Sequence, residues 1–458
     1  MIKNLSFLKE NLRLNVERLL YALVFILIFE GIIRKLLPSA VGLLIFFLKD
    51  IFSVVGLVLV AKSIVKETVQ SSSIYHLRRY FLILLIPVLI NTNFRDPKLA
   101  LFGLKQYMLY MVIGMLVPLA FTPDRIERFK KFIFYITLTI IPTTFIAVMQ
   151  NSLSADHWLN RSVDGSSLEA FSAGGLLRVS STFSFTGQYS WFLNIACVIL
   201  VISFCLPTTP DNVFKKRLKL FLIVFVCINF IIGAFITGGR TAVLGSGLVM
   251  LLGFLFAVIK APQKIITRGL ILIAVMGLSL TALRIAKPEF FKVYDLRSED
   301  KKDETHTEEV EGRLIKDTFG WTVWVADQDL IPFLFGNGIG AMSNGADKIS
   351  LYAQEVRLKG ATTEGELETT AWEGGMYLVI IWFGMRIWVI IMCFKLWNKI
   401  QINNTAIAAS FLLGYIIVVG LVGTLSRQPP ISIWWWLAIG SLIAISNLDR
   451  YQSFNKKI

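Results

Sequence analysis

The sequence predicts an all-α protein, a polytopic transmembrane helical bundle of about twelve spans with a large, partly helical extracytoplasmic loop. Three observations predict it. The 458 residues are 55% hydrophobic and only 17% charged, whereas soluble domains carry about 25% charged residues. The apolar residues come in blocks long enough to cross ~30 Å of hydrocarbon, which takes roughly 20 helical residues. Basic residues fall in alternate connections between those blocks, the signature of cytoplasmic loops. Short alternating segments of the β-barrel kind are absent.

The expected spans are 19–37, 41–61, 80–93, 99–121, 129–150, 189–206, 219–237, 241–259, 269–286, 371–396, 405–425 and 431–446. The first 18 residues are polar and basic, and no small-residue cleavage site follows, so the first block reads as an uncleaved span. The third span is short, and Pro87 is expected to kink it. Lys62, Lys66, Arg78 and Arg79 mark one cytoplasmic connection; Arg125, Arg128, Lys130 and Lys131 mark the next. Lys215, Lys216, Arg217 and Lys219, then Lys260, Lys264 and Arg268, continue the series. Both termini are therefore expected on the cytoplasmic side, within a single integral membrane domain over residues 1–458. The formal net charge of +15 is distributed among these loops rather than over a soluble basic face, which argues against nucleic acid as a partner. Cys197, Cys205, Cys227 and Cys393 all lie in apolar blocks and read as packing residues.

Two outer loops are long. Residues 151–188 are rich in Ser and Gly and end in Leu177-Arg178-Val179-Ser180-Ser181-Thr182-Phe183. Residues 287–370 begin with a densely charged stretch from Glu299 to Glu311. From Arg313 to Phe335, Leu314, Phe319, Trp321, Trp324 and Val325 recur near helical spacing, predicting a helix lying at the membrane surface. Gly336-Asn337-Gly338-Ile339-Gly340 then predicts a tight turn.

Charges inside hydrocarbon are costly and mark candidate sites. Glu30 and Arg34 share a helix face near the outer end of the first span; Lys49 and Asp50 lie in the second and Lys105 in the fourth. These residues either neutralise one another across helices or serve a ligand, and Lys105 has no partner within its own span. Thr237-Gly238-Gly239-Arg240 leaves almost no loop between two blocks. Its glycines would let backbone approach a ligand, and a guanidinium beyond them suits a phosphate or diphosphate. The alternative is a tight turn whose Arg snorkels to the headgroups. Arg178 is a second outward Arg that could reach the same anion. Glu364, Glu366 and Glu368, just before the tenth span, are either general-base candidates or a solvated helix start favoured by the helix dipole. The chain has three histidines and neither a nucleophile triad, a zinc motif nor a nucleotide loop.

Taken together, these features resemble the bacterial O-antigen ligase and polysaccharide polymerase superfamily. The resemblance rests on Arg178 with Ser181-Thr182-Phe183, on Thr237-Gly238-Gly239-Arg240, and on a long outer loop. That loop contains Gly312-Arg313, Trp324 and the run Pro332 to Gly340, and closes with Glu373-Gly374-Gly375. Glu30-Gly31-Ile32-Ile33-Arg34-Lys35 also looks like a subgroup of that superfamily. The resemblance spans roughly residues 20–446. It implies a metal-independent glycosyltransferase of the bacterial inner membrane that needs no cofactor. Its donor would be an undecaprenyl-diphosphate-linked oligosaccharide, and its acceptor a glycan or a lipid. Membrane lipid and other polysaccharide assembly proteins are further implied partners. Carried over by motif, Arg178, Arg240 and Arg313 would hold the diphosphate, and Glu364, Glu366 or Glu368 would supply the base. One departure stands out: ligases of this kind carry a His about nine residues before the Glu of Glu-x-Gly, and this chain has Glu364 there. Within the resemblance, that favours polymerisation or transfer of an exopolysaccharide over ligation onto lipid A core. A transporter or flippase of lipid-linked glycan is the alternative.

Overall fold

A computed structural model of the chain describes residues 2–64, 72–163, 165–166, 177–206, 213–263, 277–299, 328–343, 345–359 and 365–455. Among the described residues the fold is helical and contains no strand. The helices are α1 (Ile2–Leu36), α2 (Ser39–Ile64), α3 (Ser72–Asn93), α4 (Pro97–Leu104), α5 (Met111–Ala120), α6 (Ile126–Leu138), α7 (Ile140–Ser152), α8 (Thr186–Cys205), α9 (Val213–Ile236) and α10 (Ser246–Lys260). They continue with α11 (Gly277–Ala286), α12 (Lys292–Glu299), α13 (Leu330–Phe335), α14 (Leu351–Lys359), α15 (Glu366–Lys399), α16 (Asn403–Val422) and α17 (Pro429–Asn455).

Nine helical stretches among the described residues are long and apolar enough to cross a membrane, which makes this a multi-pass membrane protein by length and composition. They are Ser39–Ser63, Ser73–Asn93, Pro97–Ala120, Pro123–Ser152, Thr186–Cys205, Thr241–Lys260, Glu366–Lys399, Asn403–Val422 and Pro429–Phe454. The other three expected spans fall differently. The first lies within α1 but carries Glu30, Arg34 and Lys35. The seventh lies in α9, of which Phe221–Ile236 is an apolar helix of lesser length, and of the ninth only Gly277–Ala286 is described. The third span is longer than expected, because α3 continues through Arg78 and Arg79 and contains Pro87 within it.

Local chemistry explains the breaks. Asp96 caps α4, accepting from the amides of Lys98 (2.9 Å) and Leu99 (3.4 Å), with Pro97 at the first helical position. A π-helical turn, Lys105–Leu109, separates α4 from α5; such widened turns re-aim side chains and recur at functional sites. A second, Thr241–Gly245, opens the span that continues as α10. In α15 the backbone leaves helical geometry at Gly375 (φ 63°, ψ −167°).

The core sits around α16 and α17. Both are apolar all round, the pattern of a helix enclosed by other helices, and Trp434, Trp435 and Trp436 are all buried. The Trp435 indole donates to the Ile416 carbonyl (2.9 Å), joining the two. Close packing needs small residues here: a Cβ on Gly414 would lie 2.8 Å from the Gly253 amide and 3.0 Å from the Val249 carbonyl, as expected where membrane helices cross backbone to backbone.

Candidate functional site

The first half of the site forms around the run Ser180–Ser184. The Ser181 amide donates to Gln150 Oε1 (2.6 Å) and its hydroxyl to the Thr143 carbonyl (2.6 Å). The Thr182 hydroxyl donates to the Ile28 carbonyl (2.5 Å), and the Ile32 amide returns a bond to the Thr182 carbonyl (3.0 Å). Gly31 makes this possible, since a Cβ there would meet the Phe183 carbonyl carbon at 2.0 Å. Ser181 is held at φ 56°, a left-handed conformation that non-glycine residues adopt only when the surroundings impose it. Arg178, partly exposed, leads into this clamp, and its carbonyl accepts from the Thr186 hydroxyl in the first turn of α8 (3.0 Å).

The turn Thr237–Arg240 packs directly on that region. The Thr237 hydroxyl accepts from the Gly239 amide (3.0 Å), and Gly238 takes φ 58°. A Cβ at Gly238 would fall 3.8 Å from Arg178 Cγ and 2.5 Å from Val293 of α12. At Gly239 it would fall 2.7 Å from Ser190 Oγ of α8. The two glycines thus admit neighbouring protein segments. The stem of Arg178 is brought against the turn two residues before Arg240, and Arg240 is itself partly exposed.

The second half of the site is built on α15. Its first turns carry Glu366 and Glu368 inside the helix, because α15 starts five residues before the expected boundary at 371. Glu366 is buried and saturated. It accepts from the Trp382 indole (2.8 Å), the Arg386 guanidinium (3.2 Å), the Ser426 amide (3.0 Å) and the Ser426 hydroxyl (3.1 Å). Arg386 also donates to the carbonyls of Val419 (3.3 Å), Gly420 (2.6 Å) and Gly423 (2.9 Å) at the end of α16. A cation there complements the dipole at the end of α16 and adds a donor to carbonyls of which Val419 already accepts from the Gly423 amide (2.9 Å) and Gly423 from the Leu425 amide (3.0 Å). Glu366 therefore braces α15, the end of α16 and the connection to α17. Glu368 is buried about two turns before the kink at Gly375, whereas Glu364 and Arg313 lie outside the described residues. So do residues 313–327 of the helix expected from Arg313 to Phe335, of which the described end, Leu330–Phe335, is helical.

Glu373 anchors the glycine-rich segment that precedes α14. It is fully buried and accepts from the Tyr107 hydroxyl (2.7 Å) and the Met342 amide (2.8 Å). The Asn337 and Gly338 amides donate to the carbonyls of Trp372 (2.8 Å) and Glu373 (3.0 Å). Gly336, Gly338 and Gly340 all have positive φ, and a Cβ at Gly336 would meet the backbone of Glu373 and Gly374 within 2.5 Å. The glycine run is thus a tight turn wedged into the kink of α15. Its continuation is strapped down by Arg95 donating to the Tyr352 hydroxyl (2.7 Å) and by Ser350 donating to Asp96. Burial pushes the Asp96 carboxyl up, but the Ser350 hydroxyl and the amides of Lys98 and Leu99 outweigh it and hold the group below the usual carboxylate value.

Between the halves lies a network of charges within apolar helices. Glu30 pairs with Arg34 (3.1 Å) and Lys49 (2.8 Å); Asp50 pairs with Lys105 (2.9 Å) and accepts from the Tyr110 hydroxyl (2.5 Å). Lys105, without a partner in its own span, finds one across the bundle. Arg34 reaches the Ser184 hydroxyl (3.4 Å), and a Cβ on Gly345 would fall 4.0 Å from the edge of the Phe46 ring at the centre of the network. This connects the clamp around Ser181 to the segment that carries Gly345.

No protein-family model matches this chain, and no curated protein matches it either. The site's chemistry must be read from its own residues. Arg386 and Tyr107 were missed by inspection of motifs. Arg386 was detectable as a lone charge within an apolar block, whereas nothing in the sequence distinguishes Tyr107 from a packing residue. Among the described residues no group of three or more His, Cys, Asp or Glu could hold a metal ion. What the arrangement offers is a pair of partly exposed arginines on a glycine turn and, separately, carboxylates on a kinked helix against a folded loop.

Proposed function

We propose that this chain is a membrane glycosyltransferase that polymerises or transfers a glycan carried on undecaprenyl diphosphate, at the outer face of the bacterial inner membrane. In this reading α1, α9 and residues 269–286 complete twelve spans. Both termini are cytoplasmic, and residues 287–370 and 151–188 are outer loops. One observation carries the reading: the Arg178 stem lies against Gly238, so two arginines share one glycine turn. Guanidinium pairs suit a diphosphate, whose negative charge increases as it leaves. An acceptor hydroxyl would attack the sugar's anomeric carbon, and the carbon–oxygen bond to the diphosphate would break. A carboxylate would take the hydroxyl proton. Because Glu366 is consumed by four donors, the base falls to Glu364 or Glu368 in this proposal. Arg313 would add a third cation from the loop.

The test is glycan profiling of a deletion strain complemented with variants. Arg240→Ala should abolish elongation while the protein remains in the membrane; polymer of normal length in that strain would sink the proposal. Glu368→Gln and Glu364→Gln should each be compared with Glu366→Gln, which should lower protein level as well as activity.

A second reading, a transporter or flippase, is favoured by the two π-helical turns and the kink inside apolar helices, since broken helices carry substrate sites in transporters. Lipid flipping by the purified protein in proteoliposomes, with no glycosidic bond formed, would select it.

A further inference from the structure

We propose that the outer end of α1 and α2 binds an anionic phospholipid of the bilayer, with its phosphate between Arg34 and Lys105 and one acyl chain in an apolar groove alongside α1. The first ground is charge. Arg34, Lys49 and Lys105 all approach the Phe46 ring, at 5.1, 3.9 and 5.8 Å from its centroid. Among the described residues these three cations pair with the two carboxylates of Glu30 and Asp50 alone. One positive charge is left over at a depth where an uncompensated charge is costly.

The second ground is donor capacity. Lys49 is 1% exposed and already donates to Glu30 and to the Phe46 carbonyl (2.6 Å). The side chains of Arg34 and Lys105 are 15% and 14% exposed. Arg34 Nε has no partner, and the Lys105 ammonium, which has three donors, gives one to Asp50. The two cations nearest the surface are therefore those with donors to spare.

The third ground is a groove of about 520 Å³ beside the network, lined by Phe25, Ile26 and Phe29 of α1, Phe52 of α2, and Tyr135 and Ile136 of α6. Ile26 is one helical turn below Glu30, and Phe52 is one turn below Lys49, so groove and cations share helix faces. Phe25 and Tyr135 are more than half exposed, and for a span the solvent at that level is lipid. Phospholipid is thus the species at highest local concentration, and an anionic headgroup supplies the missing charge. The proposal requires α1 and α2 to cross the membrane but not that the chain transfers sugars.

Native mass spectrometry of the full chain, released from nanodiscs of equal phosphatidylglycerol and phosphatidylcholine, tests it. Wild type should retain phosphatidylglycerol preferentially. Arg34→Gln combined with Lys105→Met should lower that preference at least about tenfold, since both charge-assisted contacts to the phosphate are lost. Ala22→Trp, which fills the groove and leaves every charge in place, should reduce retained phosphatidylglycerol as well. Unchanged retention in either variant would overturn the proposal. So would displacement of phosphatidylglycerol from wild type by an equimolar isoprenyl phosphate, which would assign the site to a different lipid. Failure of the glycan-transfer reading would leave these measurements untouched.

Discussion

The turn at Arg240 and the first turns of α15 both place charge at the start of a long apolar helical stretch, yet they are built in opposite ways. Around Arg240, glycines bring backbone segments together and leave two arginine side chains partly exposed. Around Glu366, large side chains close in, and the carboxylate is fully occupied by Trp382, Arg386 and Ser426. A charge that is partly solvated can exchange its water for a ligand, whereas a charge saturated by protein donors holds the frame. The same residue types therefore serve different ends, and burial rather than charge sorts them.

The largest expected effect breaks the turn side of this contrast. Arg240→Ala should reduce glycan elongation by roughly 10²-fold or more, the scale for losing a donor aimed at developing charge. Arg240→Lys should restore only part of it, because a point charge lacks the bidentate fork. In-vivo polymer length, normalised to membrane protein level, reads both.

On the α15 side the effects should appear in stability. Arg386→Met leaves Glu366 buried beside an apolar group and should cost about 3–5 kcal/mol. The double variant Glu366→Gln with Arg386→Met should recover part of that, but not all, since the carbonyls of Val419, Gly420 and Gly423 still lose the bonds from Arg386. Thermal unfolding in detergent, by intrinsic Trp fluorescence, gives the order. Full additivity of the two single losses would mean that the ion pair is not a unit.

Gly336→Ala should cost roughly 1–3 kcal/mol, because a Cβ there meets the Glu373 backbone and the φ of 70° disfavours a side chain. Limited proteolysis of the outer loop should quicken in that variant and stay unchanged in Gly247→Ala, where a Cβ meets nothing within 4 Å.

The smallest effect is at Asp96. Asp96→Ala should cost about 1 kcal/mol as a lost helix cap. Because its carboxyl is held below its usual value in the fold, that contribution is complete above the unfolded value near ~4 and is lost as pH falls through the lower, folded one. The difference in melting temperature between wild type and Asp96→Ala should therefore shrink in acid and be constant at neutral pH.

Much of this molecule was legible without coordinates. Apolar block length and composition determined a helical, multi-pass membrane protein, because hydrocarbon admits only segments that satisfy their own backbone bonds. Glycine and proline marked the turn before Arg240 and the loop from Gly336 to Gly340. Intramembrane charges pointed to Glu30, Lys49, Asp50 and Lys105, because a charge in hydrocarbon is too costly to be incidental. Which charge met which was decided only by tertiary structure. Lys105 finds Asp50 from another helix, Glu366 is taken by Arg386 twenty residues on, and Arg178 comes to rest on Gly238 from a different loop. Helical periodicity places a side chain on a face. The partner it meets across that face depends on helix crossing, on the widened turns at Lys105–Leu109 and Thr241–Gly245 and on the kink at Gly375. Those are properties of the packed bundle, where the cost of an unpaired charge is settled between helices rather than within one.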